Sequence, residues 1–143
     1  MVPEIGKPTR LNNMNNEQYD PGLIIKMPSA LFATLMLSLA AAFSLNNWNV
    51  RNACILSYIL MLAVSGWSFA LGKWRIAGFI HSALMLGIAG FCLYYWLGFL
   101  EVPLADNPAA GVIATASLVY LVVGIVAAIF GIGNGYFLLK DNP

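Results

Sequence analysis

The sequence is short of charge. Of its 143 residues only 9% are Asp, Glu, Lys or Arg, against 60% hydrophobic, and mean hydropathy is +0.78. A soluble domain carries about 25% charged residues. A chain this poor in charge cannot cover a water-facing surface, so its solvent is largely lipid. The length allows one domain and no separate soluble one. Net charge is +1, with no long basic or acidic block, which argues against nucleic acid as a partner.

Chemically active side chains are equally sparse. Cys54 and Cys92 stand in no ligand spacing. His81 is the single histidine. There is no paired carboxylate, no nucleophile–base set, no glycine-rich phosphate loop and no metal-ligand cluster. No catalytic or metal-binding residue is therefore assigned, and the chain is expected not to be an enzyme. Glu101 and Asp106 belong to a loop, so no acid lies inside an apolar segment. Ion-coupled transporters and proton channels usually place charged groups near the bilayer midplane. A cleavable signal peptide is not expected either, because the first apolar stretch follows a polar tail of about 26 residues, longer than a usual n-region.

What is present is hydrocarbon in four blocks, at residues 28–45, 53–71, 76–100 and 111–139. Each is near or above the ~20 residues that cross a ~30 Å hydrocarbon core. Backbone groups in lipid must be bonded internally, so each block reads as a helix. The blocks are continuously apolar rather than alternating, which argues against a β-barrel. The connections "NNWNVRN" (46–52) and "GKWR" (72–75) are short enough to require antiparallel hairpins. The third connection ends in Asp106-Asn107-Pro108, a turn followed by a helix N-cap with proline in the first turn. Pro28-Ser29 is expected to start the first helix similarly. The expectation is an all-α membrane protein, four transmembrane helices as two antiparallel hairpins. A polar N-terminal tail (1–27) precedes the four-helix domain (28–139), and a short C-terminal tail (140–143) follows it.

Orientation follows from Lys and Arg. Lys7, Arg10, Lys26, Lys73, Arg75 and Lys140 fall on one side of the membrane and Arg51 alone on the other. Six against one puts both termini on the cytoplasmic or equivalent side. Trp74 then marks the inner interface, and Trp48, Tyr94, Tyr95 and Trp96 the outer one.

At 100° per residue the fourth helix divides into two faces. Ser117, Tyr120, Gly124, Ala127, Gly131 and Gly135 share one; Leu118, Val122, Ile125, Val126 and Ile129 share the other. Small residues let helix backbones approach, so the first face is expected to be a packing seam. On the second helix Cys54, Ser57, Met61, Ser65, Ser68 and Gly72 form a heptad-like polar stripe. Its hydroxyls are expected to bond the carbonyl one turn back or to cross to a neighbouring helix, with a solute path as the sharper reading. On the third helix Ala83, Gly87, Gly90 and Tyr94 form the small side, expected to pack inside the bundle; His81, Met85, Ile88 and Cys92 lie roughly opposite.

His81 would then point away from that contact, towards another helix, another subunit, a cofactor or a headgroup. It stands about six residues from its helix end, ~9 Å of rise or less. A neutral imidazole at that depth can bond a hydroxyl, a carbonyl or interfacial water. His81 is also the one candidate axial ligand for a haem or chlorophyll-type pigment held at an interface, with a proton relay as a further reading; bound lipid is the other cofactor class left open. Cys92 lies on the same face but ~16 Å further along, too far to share a metal.

Two classes of function compete. The first is a non-catalytic accessory subunit of a larger integral membrane complex, in contact with other membrane subunits and lipid, its N-terminal tail held by a neighbour. Energy-transducing assemblies are the usual hosts of such subunits. The second is a small homo-oligomeric transporter or channel, which would need the serine stripe and His81 to face one cavity. A lipid-modifying enzyme is a third class, for which no residue set is present. The length and helix count resemble the small multidrug transporters, but the membrane-embedded glutamate of that family is absent.

Single cysteines at Asn12, Asn49, Asp106 and Asp141 test the topology. Positions 12 and 141 are expected to label together, from the side opposite to 49 and 106. Opposite-side labelling of the two ends would overturn the four-span arrangement.

Overall fold

The computed structural model describes residues 20–72 and 74–140. The first 19 residues, and with them the expectation of a tethered tail, lie outside the described residues, as do Lys73 and 141–143. Four helices follow one another: α1 (Leu23–Asn46), α2 (Val50–Ala70), α3 (Arg75–Leu100) and α4 (Ala110–Lys140). Each is long and apolar enough to cross a membrane. They pack as consecutive antiparallel pairs. Contact is most extensive between α3 and α4, then between α1 and α2, then between α2 and α3; α1 touches α4 least.

The short connections use specific backbone chemistry. Asn49 caps α2 by accepting from the Asn52 amide at 2.8 Å. Gly72 ends α2 at φ 68°, the left-handed conformation that a glycine adopts without steric penalty, and donates to Phe69 O. In the third connection Asn107 Oδ1 accepts from the Ala109 amide, and the helix begins at Ala110.

The first helix begins earlier than expected. Residue 28 does not start it; Pro28 lies inside α1. The start is made by an Asp20-Pro21-Gly22 turn, in which Asp20 Oδ1 accepts from Gly22 N at 2.8 Å and Asp20 O accepts from Leu23 N. Lys26 then donates to Asp20 Oδ2 at 2.7 Å, with its ammonium 4.9 Å from the centre of the Phe69 ring. Lys26 therefore belongs to α1 rather than to a free tail. Its stem lies against apolar surface while its head keeps an acidic partner.

The α4 seam faces inward. Ala127 and Gly131 are buried, and Ser117, Tyr120, Gly124 and Gly135 are half-buried, whereas Leu118, Val122, Ile125 and Ile129 are exposed. A Cβ on Gly131 would stand 2.9 Å from the Leu86 side chain and 3.2 Å from the Leu86 amide nitrogen. One on Gly124 would stand 3.1 Å from Cys92 Cβ. The α4 groove thus receives larger side chains from α3.

That arrangement reverses the expectation for α3. Ala83, Gly87 and Gly90 are exposed, while His81, Ser82, Met85, Ile88 and Cys92 are buried. Close approach needs a small residue on only one of two facing helices, and α4 supplies it. Gly87 has a local use, because a Cβ there would strike the Tyr58 hydroxyl, which donates to Leu84 O at 2.7 Å. Gly90 has no neighbour that a Cβ would meet within 4 Å.

Gly131→Leu is expected to force α3 and α4 apart and to destabilise the bundle by about 1–3 kcal/mol or more. Val122→Leu, on the exposed face, is expected to change stability by less than about 0.5 kcal/mol. Thermal unfolding in detergent compares them. A second expectation concerns Asp20. Its carboxyl is held below the usual carboxylate range by the Lys26 hydrogen bond, against desolvation, with the Gly22 amide and the Lys26 charge adding to the effect. A depressed folded pKa contributes stability above the unfolded value, and the contribution is lost as pH falls through the folded one. Protection of the first-turn amides of α1, taken relative to their intrinsic exchange rates, should fall below about pH 4. Asp20→Asn should remove that pH dependence.

Candidate functional site

Four polar groups meet at one level of the bundle. Ser29 is six residues into α1, His81 six into α3, Asn134 six before the end of α4 and Leu62 eight before the end of α2. Because the helices alternate in direction, these positions lie near the same end, about 9–12 Å of rise inward. Ser29 and Asn134 are 0% exposed and His81 is 1% exposed.

The hydrogen bonds form a chain through all four helices. His81 Nδ1 lies 3.0 Å from Leu62 O. A carbonyl only accepts, so Nδ1 carries the proton, and in the neutral ring Nε2 is the acceptor. Ser29 Oγ lies 2.6 Å from Nε2 and donates to it. Asn134 Nδ2 donates to Ser29 Oγ at 2.9 Å. The direction is Asn134 to Ser29 to His81 to Leu62, from α4 to α1 to α3 to α2. Each link joins one hairpin to the other. Leu62 O also accepts from Ser65 Oγ at 3.0 Å. Among the described residues, Asn134 Oδ1 has no hydrogen-bond partner.

Glycine makes the slot for the ring. A Cβ on Gly66 would stand 2.7 Å from His81 Cε1 and 2.9 Å from Nδ1. Any larger residue there displaces the imidazole from Leu62 O. Beside the ring, Ser82 donates to Gly131 O, fixing α3 against α4 at the same level.

His81 thus turns into the bundle. Its partners are a hydroxyl and a backbone carbonyl, two of the classes open to an imidazole at that depth. Both ring nitrogens are directed into the bundle, and an axial bond to a haem or chlorophyll-type pigment would have to replace the Ser29 bond at Nε2. The serine stripe of α2 reaches His81 at Ser65, which shares the Leu62 O acceptor with it. Ser65 is buried, but Cys54, Ser57 and Met61 are exposed, and Cys54 and Ser57 line an open groove of about 570 Å³ with Trp48 and Ala53 at the other end of α2. Ser57 donates to Ala53 O, one turn back. Among the described residues, no group of three or more His, Cys, Asp or Glu is placed to hold a metal ion.

Asn134 and Gly66 were not singled out in the sequence, and Ser29 only as a helix start. A signal for Asn134 was present: it is the only Asn or Gln inside the four apolar blocks. An amide in lipid is retained where it finds partners on other helices.

Beyond this four-helix hub the core is apolar. Ala33, Leu62, Ala63, Met85, Ile88, Cys92 and Ala127 form one buried apolar cluster, each at most 9% exposed. Towards the far end the aromatic rings of Tyr95 and Tyr120 stack at 5.5 Å, with Phe99 5.6 Å from Tyr120.

Ser29→Ala and Asn134→Leu are each expected to destabilise the bundle by about 1–3 kcal/mol. Together they should cost less than the sum, with a coupling of roughly 0.6–1.7 kcal/mol. Gly66→Ala should match the loss from removing the His81–Leu62 bond. Additive effects in a double-mutant cycle would show that the chain of bonds is not a unit.

No family model matches this chain, and no curated protein or solved structure matches it.

Proposed function

We propose that the protein is a non-catalytic accessory subunit of a larger integral membrane complex, its four helices standing in lipid among those of other subunits. The observation that supports this most directly is where the embedded polar groups go. Ser29, His81, Ser82 and Asn134 all bond between helices of the chain itself. A path for a solute through one bundle would have to break both the hub and the apolar layer of Leu62, Met85, Ile88 and Cys92. Such an interior suits holding a shape. The exposed Ala83 and Gly90 of α3 add to the reading, because small residues there offer close approach to a helix outside the chain.

In this reading both termini face the cytoplasmic or equivalent side. Lys26, Arg75 and Lys140 gather at one end of the bundle and Arg51 stands at the other, in the sense of the positive-inside rule. Arg75 also donates to Leu138 O at 2.8 Å, a cation on the C-terminal turn of α4.

Purification from native membranes in mild detergent tests the proposal. Unlike integral membrane subunits are expected to accompany the chain in fixed ratio. Recovery of copies of itself alone, with solute flux in vesicles, would replace this reading by that of a small homo-oligomeric transporter.

A further inference from the structure

We draw no further inference here: the strongest candidate, the buried carboxamide oxygen of Asn134 in the four-helix hub, belongs to the site already described, and nothing in the structure shows what meets it.

Discussion

A polar side chain inside a bundle in lipid has few partners to choose from, and the rest of this fold is arranged around how one set of them is satisfied. Asn134, Ser29, His81 and the Leu62 carbonyl form a single directed chain of hydrogen bonds. The carbonyl dictates the proton on Nδ1, and that dictates an acceptor at Nε2. The acceptor orients the Ser29 hydroxyl, and the hydroxyl's free lone pairs receive the Asn134 amide. Each member therefore sets the role of the next. Hydrophobic burial gives little preference among helix arrangements when the surroundings are themselves apolar. Directional bonds between hairpins supply the preference instead.

The hub works only if the backbones come close enough, and glycine provides that closeness at chosen places. Gly66 leaves room for the imidazole, and Gly131 and Gly135 let α4 lie against Leu86 and Ser82 of α3. The small residue and the side chain it admits sit on opposite helices. This is why α3 buries its larger face and leaves Ala83, Gly87 and Gly90 outside. A small-residue face marks where close approach can occur, and the helix that fills it presents side chains of ordinary size.

Along its axis the bundle has two characters. One end carries Lys26 with Asp20, then the hub; the middle and far part is an apolar cluster followed by stacked aromatic rings. The polar part joins helices and the apolar part fills space. Both nitrogens of the sole histidine are bonded inside the bundle, and every described acid lies outside the helices.

The sequence alone was sufficient for the class of object and its organisation. Charge scarcity and four long apolar blocks lead to four membrane-length helices, because lipid leaves the backbone no other way to bond itself. Short connections determine that neighbours are antiparallel, and the period of the α4 glycines shows which face is buried. Two local features were out of reach: the Asp20-Pro21-Gly22 turn starts α1 before Pro28, and the inward face of α3 is the opposite of the one its small residues suggest. Periodicity describes one helix at a time, whereas burial is decided by pairs. The hub is the extreme case. Ser29, Leu62, His81 and Asn134 are up to 105 residues apart in the chain and meet only because four antiparallel helices bring the same depth into register. Which hydroxyl, carbonyl and amide an isolated histidine will find is a property of that register, and no spacing in the sequence encodes it.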